Sequence, residues 1–237
     1  MKRLLLLLLT AALLAPAPAE AQRQAEPHSE PVHVRLDGVD VVLHARTTQV
    51  VTVNHTRGYR ARVTLWRLRD GAWERRLQAT DGRIGYGGLV VGERRHQGTG
   101  TTPIGTYDLT WAFGMHPGSS SWDLRYRQVR RGDFWVEDNA SRYYNRYRNQ
   151  SQGGFRWRLP ASAENASERL TDYPQQYEWS IVTSFNHGQV RHRGAGIFLH
   201  VNGSGATAGC VSAPRVFIKR LMGRLDPDKR PVIAIGR

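Results

Sequence analysis

The chain has 237 residues, a formal net charge of +14 and one cysteine. A lone thiol cannot close an intramolecular disulfide, so a disulfide scaffold is excluded and Cys210 must be buried and inert, bound to something, or reactive. All but three of the 34 basic residues are arginine, spread along the whole chain; such a charge speaks to association and solubility, not to fold.

Residues 1–21 have the pattern of a secretory signal peptide. Lys2 and Arg3 precede the apolar run Leu4 to Ala15, and Ala19-Glu20-Ala21 offers a small-residue cleavage site before Gln22. The apolar run is 12 residues long, against about 20 for a spanning helix. Export with cleavage is therefore expected, with no membrane anchor afterwards. Removing the signal leaves 216 residues, enough for one domain with a substantial core. Residues 22–38 are predicted to be a disordered lead-in, opening with Ala, Pro and polar residues. Residues 39–237 show no internal repeat and are predicted to be a single domain.

Within that domain short apolar runs alternate with turn signals. Strands are predicted at Val50 to Val53, Arg62 to Leu68, Leu89 to Val91, Thr106 to Leu109, Phe134 to Val136, Ser180 to Phe185, Ile197 to Val201 and Val232 to Ile235. Asp70-Gly71 and Asp81-Gly82 read as turns. Helices are predicted at Ser162 to Leu170, with Ser162 as N-cap, and at Pro214 to Leu225, where Phe217, Leu221 and Leu225 repeat on one face. Many strands with few helices predict a mainly β sandwich or barrel.

The chemistry centres on His200 and Cys210. A histidine ending an apolar run and a cysteine ten positions later, in a turn containing Gly203, Gly205 and Gly209, suit a base and a nucleophile facing one pocket. The backbone N–H groups of Gly209 and Cys210 are candidates for an oxyanion hole. The competing reading is an inert structural thiol, since free cysteine is among the most buried residue types. The glycine-rich stretch Gly92 to Tyr107 lacks the Gly-Lys-Ser/Thr of a nucleotide loop. His187, His192, His200 and Cys210 do not have a zinc-ligand spacing, so no metal is expected.

These residues give the chain a resemblance to the L,D-transpeptidase catalytic domain, a family of exported cysteine enzymes that cross-link peptidoglycan. It is carried by Arg83-Ile84-Gly85 through Gly98-Thr99-Gly100-Thr101-Thr102-Pro103-Ile104-Gly105, by Phe198-Leu199-His200, and by Thr207-Ala208-Gly209-Cys210-Val211-Ser212. The stretch from Asp133 to Tyr147 looks like a subgroup insertion. The chain departs from the usual signature at Ala208, where histidine is common, at Ser212, where arginine or asparagine is common, and in the short spacing from His200 to Cys210.

The resemblance implies an L,D-transpeptidase-like β fold over residues 39–237. It also implies a Cys210 thioester formed from a stem tetrapeptide and passed to an amine, His200 as proton acceptor, and no cofactor. Water as acceptor would make the protein a carboxypeptidase or amidase, and loss of the chemistry would leave a basic envelope-binding protein. Tyr143, Asn145, Arg146 and Asn186 are candidate substrate contacts, arginine suiting a carboxylate. The expected partners are peptidoglycan stem peptides and anionic envelope polymers, at a secreted or periplasmic location. Nucleic acid is not expected, because the arginines are not clustered and export separates the protein from it.

Overall fold

The computed structural model describes residues 31–237; the predicted signal peptide lies outside the described residues. The strands in chain order are β1 (Val32–Leu36), β2 (Val39–Leu43), β3 (Gln49–Arg57), β4 (Arg60–Arg69), β5 (Ala72–Arg83), β6 (Leu89–Val91), β7 (Thr102–Gly114), β8 (Tyr126–Gln128), β9 (Asp133–Val136), β10 (Arg146–Asn149), β11 (Glu168–Arg169), β12 (Trp179–Thr183), β13 (Phe198–Val201), β14 (Val211–Ala213) and β15 (Val232–Gly236), with one α-helix, α1 (Arg215–Met222). The fold is mainly β, as the apolar alternation predicts.

The large sheet runs β12-β13-β14-β5-β4-β3-β15-β7-β6, and a further β12–β7 pairing closes it on itself. Closure removes the free edges that an open sheet would present. Most neighbours are antiparallel, but β13 with β14, β15 with β3, β6 with β7 and β7 with β8 are parallel. A small sheet, β10-β9-β11, stands beside the closed one.

Two apolar clusters flank the β13–β14 ribbon. Leu199, Val201, Val211 and Ala213 face the main core, against Phe217, Ile218, Leu221 and Met222 of α1. Phe198 faces an aromatic cluster with Phe113, Trp135, Tyr144 and Tyr177, and Cys210 packs at its rim. Successive strand residues alternate in direction, so this register sends Phe198, His200 and Ser212 to the face away from α1.

Three local readings differ from the structure. Asp81-Gly82 lies inside β5 at a register shift opposite Ala61 and Val63, so it is a bulge and not a turn. Residues 162–170 form no α-helix; Glu168–Arg169 are drawn out as β11 against Phe134 and Trp135. That segment has no apolar face to bury as a helix, so strand pairing wins. β1 lies within residues 22–38, paired along its length with β2, so regular structure begins earlier than composition suggested. By contrast, Asp70-Gly71 does turn the β4–β5 hairpin, both residues having positive φ.

Candidate active site

Cys210 sits at the entry to β14 and His200 within β13. In the parallel register His200 stands opposite Ser212, two residues beyond Cys210, so both side chains fall on one face of adjacent strands. Both line a cleft of about 800 Å³, together with Arg95, Glu137, Glu168 and Tyr177.

The loop that presents Cys210 is held from below by the glycine-rich stretch. Thr102 Oγ1 accepts from Gly85 N and donates to Gly209 O, each at 2.8 Å. Gly85 also bridges Thr207, and a β-carbon on Gly85 would lie 2.0 Å from Gly100 O. These glycines thus serve backbone packing beneath Cys210, not anion cradling. Thr207 Oγ1 donates to Cys210 O at 2.6 Å and accepts from Gly209 N at 3.2 Å. The Gly209 amide, a predicted oxyanion donor, is therefore already bonded.

The thiol and the imidazole share the cleft without bonding to each other. Cys210 Sγ donates to Gly196 O at 3.1 Å and accepts from Phe198 N at 3.4 Å. His200 Nδ1 lies 2.8 Å from Val201 O. A carbonyl only accepts, so Nδ1 carries the proton and Nε2 keeps the basic lone pair. The Tyr177 ring packs nearly perpendicular to the imidazole, with centroids 5.4 Å apart.

Burial sets the protonation states. It pushes the Cys210 thiol well above its ordinary range, with the neighbouring Glu168 adding to the rise and the Phe198 amide and Arg95 opposing it. Burial also lowers His200 to about 4, against the opposing effect of its backbone bond. The free protein therefore holds a neutral thiol beside a neutral imidazole, not a thiolate–imidazolium pair.

Two carboxyl groups occupy the same cleft. Glu168 accepts from Tyr177 OH at 2.6 Å, and Glu137 Oε1 lies beside Gly196, 3.1 Å from where a β-carbon would stand. Burial, then Glu168, raises Glu137 to about 8; burial raises Glu168 to about 7. Neither makes an ion pair among the described residues. Sequence reasoning missed both, and Arg95, because strands distant in the chain bring them to Cys210.

The predicted substrate contacts lie elsewhere. Tyr143 packs against the cluster of Phe134, Val136 and Phe155 and sits under the Arg148 guanidinium, 3.5 Å from the ring centroid. Asn145 and Arg146 border a second cavity of about 470 Å³ with Trp111 and Tyr147. Asn145 is also a buried clamp: its Oδ1 accepts from Trp135 Nε1 at 2.8 Å and from Gly196 N at 3.1 Å. Asn186 closes its own loop, donating to Val190 O and Gly194 O, and does not bond His200. His187 is exposed at the second cavity, and no metal-binding cluster occurs among the described residues.

The family model of the L,D-transpeptidase catalytic domain, YkuD, matches residues 48–233. Among solved structures, the chain is similar to a mutant of the helical cell shape determining protein Pgp2 from Campylobacter jejuni. The identity is 13% and the TM-score 0.42, over 80% of this chain and 47% of that one. The chain thus spans about half the length of that protein. No curated protein matches it.

Proposed function

The chain belongs to the L,D-transpeptidase catalytic domain family, and on that premise we propose that it is an exported cysteine acyltransferase acting on peptidoglycan stem peptides. Cys210 is the nucleophile and His200 the base. The observation that carries the reading is the His200 tautomer. Val201 O holds Nδ1–H, so the free lone pair on Nε2 is on the same strand face as Cys210, inside a cleft large enough for a peptide.

The thiol attacks as its proton leaves. The Cys210 S–H proton passes to His200 Nε2 while sulfur bonds the carbonyl carbon between an L-centre and a D-residue of a tetrapeptide stem. The carbonyl electrons move to oxygen. As they return, the C–N bond breaks and His200 gives its proton to the leaving amine. The thioester left on Cys210 is resolved by an amine of a neighbouring stem, giving a cross-link. Water in its place gives a shortened stem and a carboxypeptidase. The arginine-rich surface would hold the secreted protein near anionic envelope polymers.

A second reading is favoured by one observation: the thiol is bonded to Gly196 O and Phe198 N, not to His200. On that reading the protein is a basic envelope-binding module that has kept the fold. Incubation with a disaccharide tetrapeptide, with products resolved by mass, separates the readings. Dimers or loss of the terminal residue, abolished in Cys210→Ala, support the enzyme. No reaction in a protein that still binds peptidoglycan supports the module.

A further inference from the structure

We propose that Arg95 is a catalytic residue of this cleft, a fixed cationic donor for the negative charge that forms at Cys210 during acyl transfer. The proposal rests on the reading of Cys210 as the nucleophile.

The Arg95 side chain is 5% exposed. Two of its nitrogens are spent on holding it in place: Nε donates to Thr101 O at 2.7 Å and Nη1 to Arg193 O at 3.1 Å. Its third, Nη2, has no hydrogen-bond partner among the described residues, and Arg95 borders the cleft that holds Cys210. No carboxylate lies within ion-pair distance of it among the described residues. A buried cation with no contacting counter-ion is costly. A chain that only needed to brace two carbonyls would do so more cheaply with a neutral side chain.

The backbone around the guanidinium is shaped to admit it. A β-carbon on Gly194 would lie 1.5 Å from Nη1, and one on Gly209 would lie 2.6 Å from Nη2. The unspent nitrogen therefore rests against the residue immediately before the nucleophile. The titratable groups that act on Arg95 are Cys210 first, then Glu137, Tyr144 and Tyr107. Burial lowers the Arg95 pKa, and Cys210, once ionised, is the first of the groups that oppose it.

In the reaction the thiol proton goes to His200 Nε2, the S–C bond forms, and the carbonyl electrons become an oxyanion on the carbon that carries sulfur. Arg95 donates a hydrogen bond and transfers no proton. Sulfur and the oxyanion are bonded to the same carbon, so one fixed cation beside it serves both. This role also supplies a donor that the Gly209 amide, already bonded to Thr207, does not.

The test uses Arg95→Met and Arg95→Lys in the mature protein, with folding checked by thermal melting. Alkylation of Cys210 by iodoacetamide from pH 7 to 10 reads the thiol directly and needs no substrate. Arg95→Met is expected to slow alkylation about tenfold at a fixed pH, and Arg95→Lys to recover part of the loss. Turnover of a stem tetrapeptide is expected to fall about 100-fold in kcat with KM little changed. A folded Arg95→Met with wild-type alkylation and wild-type kcat overturns the proposal. If Arg95→Met does not fold, the same criterion applies to Arg95→Gln, which keeps hydrogen-bond donors but removes the charge. Slowed alkylation in a protein whose wild type turns over no stem peptide would uphold the Arg95–Cys210 coupling and sink the transpeptidase reading instead.

Discussion

The Cys210 thiol donates to the Gly196 carbonyl at 3.1 Å, and the His200 imidazole takes no part in that bond. The Cys210 sulfur therefore rests in a protonated state, with its hydrogen bonded to backbone. Burial and Glu168 push the thiol in the same direction.

A resting thiol of this kind should react slowly. Iodoacetamide at pH 7.5 is expected to alkylate Cys210 at least about tenfold more slowly than free cysteine, with a rate that climbs steadily to pH 10. Cys210→Ala should lose both labelling and turnover. A fast rate that is flat from pH 5 to 8 would show a standing thiolate–imidazolium pair and refute this account of the site.

The His200 imidazole should stay neutral well into acid. His200 is lowered to about 4 by burial, so its neutral form persists well below the ordinary range. The acid limb of kcat/KM is expected near pH 4, not near 6.5, and His200→Ala should lower kcat by about 100- to 10,000-fold. The same shift bears on stability. The unfolded chain takes up the His200 proton near pH 6.5 and the folded chain near pH 4. Stability from this group is complete above pH 6.5 and is lost as pH falls toward 4, by about 3 kcal/mol in all. Urea midpoints for the wild type and His200→Gln should converge across that window; parallel curves would deny the burial effect.

How much of this was legible in the chain follows from sequence distance. Cys210 and His200 stand ten residues apart, and a glycine-rich turn between two apolar runs was enough to suggest a shared face. The helix α1 announced itself through Phe217, Leu221 and Leu225 on one side. Arg95, Glu137 and Glu168 carried no such signal. They meet Cys210 only because the sheet closes and the small sheet β10-β9-β11 stands beside it. The Asn145 and Arg146 reading failed to reach the cleft for a related reason. Side-chain type suggests a contact for a charged peptide, and here Asn145 satisfies the backbone of a turn.

The two cleft carboxyls should oppose His200 in the pH dependence of folding. Burial raises Glu137 to about 8 and Glu168 to about 7. Between their ordinary range near 4.5 and those values, the folded chain holds protons that the unfolded chain has released. Their contribution is complete below pH 4.5 and is lost as pH rises through 7 and 8. Stability is expected to fall from pH 6.5 to 8.5, and Glu137→Gln with Glu168→Gln to flatten that fall. Removing the Glu168 charge also removes a cause of the raised thiol, so Glu168→Gln should alkylate several-fold faster at pH 8. A wild-type alkylation rate in Glu168→Gln, or a fall in stability that the double variant leaves untouched, would contradict this assignment.

Asn145 is expected to act on the site only through structure. Its Oδ1 accepts from Trp135 Nε1 and Gly196 N, and its Nδ2 donates to Phe185 O and Asn186 O. Its φ is 54°, a left-handed conformation that asparagine tolerates better than most residues. Asn145→Ala would strand buried donors and acceptors and strain the backbone, costing about 2–4 kcal/mol in urea unfolding. Asn145→Asp keeps Oδ1 but turns an oxygen toward two carbonyls, and should be no better. Because the Gly196 amide is held by Oδ1 while the Gly196 carbonyl accepts from Cys210, a loosened Gly196 turn should release the thiol. Alkylation of folded Asn145→Ala should therefore rise relative to wild type while kcat falls. A loss of substrate affinity with unchanged stability would instead make Asn145 a substrate contact.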